Sequence, residues 1–349
     1  MNSANFTVSI QDRHTCLSDR HTRLPGSRVG QKMHRSNDCF CNVACLGNIA
    51  DLLKGLDRSI NIILLKGIAL LNTVYSRDVS QRHLGDLDIL IRIKDFAALK
   101  AFLTDKGYIF YNNFNAPRQG SYLNSATCAK QERFWPPFHV HWHLANATFP
   151  TAMFSTGIDL EKIWREAGLL DGYENVWIMS AHHQLIHLCE HALKHAYDRP
   201  YFLKDIDDLV RYYRGILSWE RVISEARAFT LSRPVYYSLY FAKNFLSTEV
   251  PSKVISALKP ERAGIWERRF VRAVLKGRNT SHLSLVVYLA MNKTFFEKLR
   301  FLFRSLIMPP GVSAGINNRL PRQDKSPDRF RRAYGRFRIY IRMARSLII

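Results

Sequence analysis

The sequence predicts an α+β protein in which a small mixed sheet is followed by a mainly helical half. Three observations carry this. Short runs with strand length or strand alternation, at 61–65, 86–92, 108–111 and 138–144, all precede residue 158 and are separated by segments with helical spacing. Beyond Asp159 the apolar positions recur at helical intervals. The 349 residues are 47% hydrophobic, 12% aromatic and 23% charged, a globular composition that excludes a collagen-like, wholly disordered or disulfide-framework chain.

Each element has a local reason. Residues 1–36 show no periodicity and are expected to be a disordered lead-in. From Phe40, the positions Val43, Leu46, Ile49, Leu52 and Leu53 follow a helical stripe that ends in the 55–59 stretch. The β-branched and apolar run 61–65 reads as a buried strand stopping at Lys66-Gly67. Residues 68–75 read as helix, 76–85 as a polar loop and 86–92 as a second strand. Asp95 caps a helix carrying Phe96, Leu99, Phe102 and Leu103, which Lys106-Gly107 ends before the 108–111 strand. Helices are expected near 159–166, 180–197, 203–216, 219–229, 233–246, 261–276, 281–291 and 293–307. A Pro/Gly/Asn-rich linker follows from Pro309, and a last helix from about residue 328. The expected domains are 37–158, α/β; 159–308, helical; and 309–349, a basic linker with a C-terminal amphipathic helix.

Charge separates the ends of the chain. Lys and Arg number 51 against 29 Asp and Glu, a net +22. Residues 259–349 hold 21 of the former and 5 of the latter, a net +16, which leaves +6 for everything upstream. Such a balance points to polyanions, nucleotides or an anionic membrane face. No apolar run reaches the roughly 18–20 residues of a spanning helix, and the N-terminus lacks the apolar stretch of a secretory leader. A cytoplasmic protein with reduced cysteines is expected. Cys39, Cys41 and Cys45 lack a fourth nearby ligand and the paired spacing of a zinc site.

The chemistry-bearing residues bracket the first loop of the predicted sheet. Asp86 and Asp88 lie two apart at a strand start, so both carboxylates face one side. Like charges so placed are tolerated when a hard cation sits between them, and Mg²⁺ is typically held by one or two carboxylates plus substrate phosphates. Gly67 opens a helix, where backbone N–H groups and the missing side chain admit a phosphate. Lys66 or Arg82 can neutralise that phosphate. The same spacing also fits an exposed strand edge beside an ordinary turn.

The linked set goes further. Leu65-Lys-Gly-Ile-Ala-Leu70, Arg82-His-Leu-Gly-Asp-Leu-Asp-Ile-Leu-Ile91, Gly107-Tyr108 and His141-Trp142, followed by Leu188-Cys-Glu-His-Ala-Leu-Lys-His195 and Asp205-Ile-Asp-Asp-Leu209, resembles the uncharacterised nucleotidyltransferase family of the polymerase-β-like superfamily over about residues 40–245. The resemblance implies transfer of a nucleoside monophosphate from an NTP to an acceptor (a small molecule, a glycan precursor or a peptide) with release of pyrophosphate. It implies that Asp86 and Asp88 hold one or two Mg²⁺ ions and that Lys66 and Gly67 meet the phosphates. It also implies a third carboxylate two residues before His141, where this chain has His139. Glu132 and Asp159 are the nearest acids in sequence. His139, His141 and His143 share a strand face, so a histidine can serve as base or as ligand to a softer ion such as Mn²⁺.

Two further features stay open. His183, His187, His191 and His195 lie along one helical face as a buried polar seam, a substrate wall or a metal site; a metalloprotease motif is excluded because Leu188, not glutamate, follows His187. The helix from 328 sets Phe330, Tyr334, Phe337, Ile341 and Ile348 against Arg329, Arg332, Arg336 and Arg342; it either packs on the helical half or touches nucleic acid or anionic membrane. The alternatives to an enzyme acting on a small acceptor are a degenerate nucleotide- or RNA-binding protein of the same fold and a tRNA-directed transferase.

Overall fold

The computed structural model describes residues 28–111, 124–132, 134–145, 157–278, 280, 283–292 and 294–306, with side chains described for residues 40–303 of these. The first helix, α1 (Arg28–Lys54), starts ahead of the expected Phe40, so residues 28–36 are helical rather than lead-in. It buries Ile49, Leu52 and Leu53, the stripe that its spacing predicts. The expected elements at 309–349 lie outside the described residues.

Seven strands form one mixed sheet among the described residues: β1 (Ile62–Leu64), β2 (Leu87–Ile91), β3 (Ile109–Phe110), β4 (Ser125–Ala129), β5 (Phe138–His141), β6 (Gly168–Leu169) and β7 (Val176–Ile178). Their order is β3-β4-β5-β2-β1-β7-β6. β1 and β2 are buried at every position, Asp88 included, which is why β1 reads as an apolar run. β2 runs antiparallel to β1 and parallel to β5. Between the strands lie α2 (Lys66–Asn72) and α3 (Phe96–Asp105). Gly107, at φ +85, gives α3 the left-handed exit that only glycine adopts cheaply.

Three expectations change. β4 is built from Ser125, Ala126, Thr127, Cys128 and Ala129, small residues with too little apolar contrast to announce a strand. The sheet does not stop at 158: β7 pairs in parallel with β1, so the expected helical domain contributes two strands. β5 ends at His141, and His143 turns into the following bend, where its Nδ1 accepts the Ala145 N–H at 3.1 Å.

The helices are α4 (Leu160–Arg165), α5 (Ala181–Lys194), α6 (Pro200–Tyr212), α7 (Trp219–Ala228), α8 (Ser232–Leu246), α9 (Ser252–Leu258), α10 (Ile265–Leu275), α11 (Ser284–Met291) and α12 (Phe295–Leu306). α9 has no counterpart among the expected helices. α5 is central, packing on α2, α6, α7, α8 and α11, and nearly all its residues are buried.

Polar ties fix the segment that leads into β2. Asn42 of α1 donates to the carbonyls of Val79 (2.5 Å) and Arg82 (2.7 Å) and accepts the Leu84 N–H at 3.0 Å. The Tyr75 hydroxyl reaches Asp205 (3.1 Å) and Asp208 (2.8 Å) on α6. Arg82 closes the same junction through Nε, 3.0 Å from both Asp205 oxygens, with its guanidinium stacked 4.2 Å over Tyr201.

Candidate active site

The parallel register of β2 and β5 builds the site. Asp88 pairs with His139 and Leu90 with His141, so both imidazoles and the Asp88 carboxylate project from adjacent strands. On the other side, the Leu65 N–H donates to the Asp88 carbonyl at 2.9 Å and brings Lys66 alongside. Lys66 has φ +50, a left-handed conformation uncommon for a residue with a side chain, and its Nζ ends 2.7 Å from Asp88 Oδ1. His141 Nε2 lies 2.8 Å from the same oxygen and His139 Nδ1 3.7 Å from it. Asp86, at the mouth, has its side chain 46% exposed and lies 3.3 Å from His139 Nδ1.

The titration pattern follows from this packing. Burial opposes the charged form of Asp88, but the Lys66 ammonium and the two histidine hydrogen bonds outweigh it and hold the carboxyl well below its usual range. Burial, then the charge of Asp88, pushes Asp86 up. Burial works against the imidazolium of His139, yet the hydrogen bond and charge of Asp88, with Asp86, raise it. His141 is driven down to about 4, chiefly by burial. An ionised Asp88 can only accept, so His141 carries its proton on Nε2 and leaves Nδ1 bare, and that Nδ1 is buried without a partner.

Asp88, His139 and His141 can each direct a ligand atom to one point, all three atoms lying within 4.8 Å of one another. Two imidazoles and a carboxylate, with Asp86 adjacent, fit a divalent cation. Their mixed nitrogen and oxygen chemistry suits a borderline ion better than the all-oxygen shell Mg²⁺ prefers. Lys66, 2.7 Å from Asp88 Oδ1, supplies positive charge to this buried carboxylate.

The other expected residues fall as follows. Gly67 lies beside Arg82, whose Nη2 is 3.6 Å from where a Cβ on Gly67 would sit. Arg82 is thus at the site's edge, with its Nε side committed to Asp205. Glu132 pairs with Lys130 and Asp159 caps α4, so neither replaces the missing acid. The histidine face of α5 is a packed seam: His191 meets His195 edge-on at 4.7 Å, and His195 stacks on Phe202 at 5.0 Å. His183 contacts Glu225, and Glu166 is near enough for the three to resemble a metal cluster. However, Lys162 and Arg221 already neutralise both glutamates.

These features follow one pattern: a Gly-bearing turn after β1, an Asp-x-Asp entering β2, its partner strand β5 and a helical half closing over them. The matching family is described as uncharacterised nucleotidyltransferase, and the match covers residues 34–247. The chain belongs to the uncharacterised nucleotidyltransferase family. No individual curated protein matches it.

Within this nucleotidyltransferase framework, α5 adds two groups that sequence inspection passed over. Glu190 is buried, accepts from the Tyr288 hydroxyl at 3.0 Å, and lines a small cavity with His187, Leu144, Ile163 and Phe229. His187 Nε2 is buried there without a partner. Among the described residues, the ammonium of Lys194, one turn beyond Glu190 and partly buried, makes no ion pair or hydrogen bond, while its carbonyl accepts from the Ser284 hydroxyl at 3.3 Å. Burial, then the nearby Lys66 charge, holds it down to about 8, while Glu190, Asp88 and Asp86 pull the other way. The i, i+4 spacing of Glu190 and Lys194 along the histidine helix was the available signal.

Proposed function

We propose that this protein is a divalent-metal-dependent nucleotidyltransferase that moves a nucleoside monophosphate from an NTP to an acceptor, with Asp86 and Asp88 as metal-binding carboxylates and His139 and His141 completing the site. The acceptor hydroxyl gives its proton to a site histidine, His139 or His141, as its oxygen forms a bond to the α-phosphorus; the α–β phosphoanhydride bond breaks, and pyrophosphate leaves with its electron pair. A bound Mg²⁺ or Mn²⁺ supplies charge stabilisation for the triphosphate. The protein's own part is positioning and neutralisation. Gly67 leaves room for phosphate beside Arg82, Lys66 would turn from Asp88 toward the phosphates once a cation is bound, and Lys194 offers an ammonium with no partner among the described residues. The acceptor belongs to the small-molecule, glycan-precursor or peptide classes.

The observation that supports this best is the convergence of Asp88, His139 and His141 beside Asp86 and Lys66 at the end of β1 and the start of β2. Calorimetric titration of each NTP with Mg²⁺ and with Mn²⁺ tests it. Metal-dependent binding is expected in the wild type and is lost in the Asp86→Asn/Asp88→Asn variant, whose fold is checked by circular dichroism. Nucleotide binding that survives in this variant and needs no metal would instead identify a binding protein without turnover.

A further inference from the structure

α12 presents its apolar side to solvent. Its start is encoded as a helix: the Thr294 N–H donates to Glu297 Oε2 at 3.0 Å, and the Glu297 N–H donates to Thr294 Oγ1 at 3.2 Å, a reciprocal cap. Phe301 is fully buried and anchors the helix to the fold. Yet Phe295 is 73% exposed, Phe296 79%, Leu299 51% and Phe303 62%. At about 100° per residue these four span an arc of about 100°, on the side opposite Phe301. Lys298 borders the arc on one edge and Arg300 on the other. Large contiguous apolar patches are uncommon on a lone soluble chain and mark an interaction surface.

Charge selects the occupant. Residues 259–349 carry a net +16, so a second copy of this face, or the basic segment after residue 306, would bring like charge against Lys298 and Arg300. An RNA ligand fits less well, because stacking platforms interleave aromatic and basic groups, whereas here Phe295, Phe296, Leu299 and Phe303 form an uninterrupted apolar stripe. We propose that α12 docks in the plane of an anionic phospholipid surface. Phe295, Phe296, Leu299 and Phe303 enter the boundary between headgroups and acyl chains, while Lys298 and Arg300 meet lipid phosphates. This does not depend on the nucleotide chemistry of the cleft.

Co-sedimentation of the full chain with vesicles tests the assignment, comparing phosphatidylcholine alone with an equimolar mixture of phosphatidylcholine and phosphatidylglycerol. The wild type is expected to bind the anionic vesicles and leave the neutral ones. Phe296→Ser/Phe303→Ser changes only exposed rings, so the fold is retained; it weakens vesicle binding at least tenfold, and Lys298→Glu/Arg300→Glu does the same. A wild type that ignores anionic vesicles overturns the proposal. So does a Phe296→Ser/Phe303→Ser variant that binds like the wild type, which would assign binding to the segment after 306. A wild-type dimer that this variant converts to monomer would assign the face to a second copy, and RNA binding lost in the same variant would assign it to nucleic acid.

Discussion

Three positive or proton-bearing groups, Lys66, His141 and His139, converge on one oxygen of Asp88. A buried carboxylate is tolerated only when paired and hydrogen-bonded, so this residue is either compensated by protein, as here, or by a cation. His139 is the informative departure, because its pairing with Asp88 puts an imidazole where the family resemblance implies an acid. His139→Asp is expected to raise Mg²⁺ affinity at least tenfold in calorimetric titration, since an oxygen ligand suits that ion better. Lys194 makes the opposite kind of test. Its ammonium is desolvated without a partner among the described residues, so Lys194→Met is expected to raise the midpoint of urea unfolding. The same variant is expected to weaken NTP binding about tenfold, the loss of roughly one charge-assisted contact, while NMP binding stays unchanged. Lower stability together with undiminished NTP affinity would remove Lys194 from the site.

Among the elements, the loop between α2 and β2 carries the most consequence, because it sets where Asp86 emerges. Asn42 of α1 holds it from one side, and the Arg82–Asp205–Tyr75 junction ties it to α6. Arg82 and Asp205 are both largely buried, and removing one partner of such a pair leaves the other charge uncompensated, typically at a cost of about 3–5 kcal/mol. Arg82→Met is therefore expected to destabilise the protein by about that amount in urea unfolding. Asp205→Asn is expected to cost a comparable amount, because the amide oxygen still accepts from Arg82 but leaves the buried guanidinium without a counter-charge. Small losses for both variants would show that the junction does not hold the loop.

The α5 face acts across the whole molecule. His182, His183, His187, His191 and His195 are all lowered, burial being the first cause in each, and His141 joins them at about 4. The unfolded chain takes protons on these residues first, near pH 6.5, so it binds more protons than the native state and stability falls as pH drops. For His141 the loss runs from about pH 6.5 to about 4 and amounts to something on the order of 3 kcal/mol. His139, Asp86, Glu190 and Asp205 are raised and act in the opposite sense, losing stability as pH rises through their folded values. The six lowered histidines outnumber them, so unfolding midpoints are expected to decrease steadily from pH 7 to pH 4.5. A flat profile would mean that the histidine seam is open to protons in the native state.

By itself, the sequence determined the α+β class, the strands at β1, β2 and β5, most helices of the second half, and the Lys66-Gly67 and Asp86-x-Asp88 pair. These depend on local periodicity and fixed spacing, which survive in one dimension. Tertiary structure alone decided that β7 joins the sheet, that β4 is a strand despite its small residues, and that neither Glu132 nor Asp159 reaches the site. It also decided that Arg82 is shared with Asp205, and that Lys194, unpaired among the described residues, lies within range of the charges of Asp88 and Asp86. Strand pairing and side-chain convergence arise from contacts between residues distant in the chain, 22 positions for Lys66 and Asp88, 53 for Asp88 and His141 and 123 for Arg82 and Asp205, and no local pattern records which distant group will neutralise a given charge.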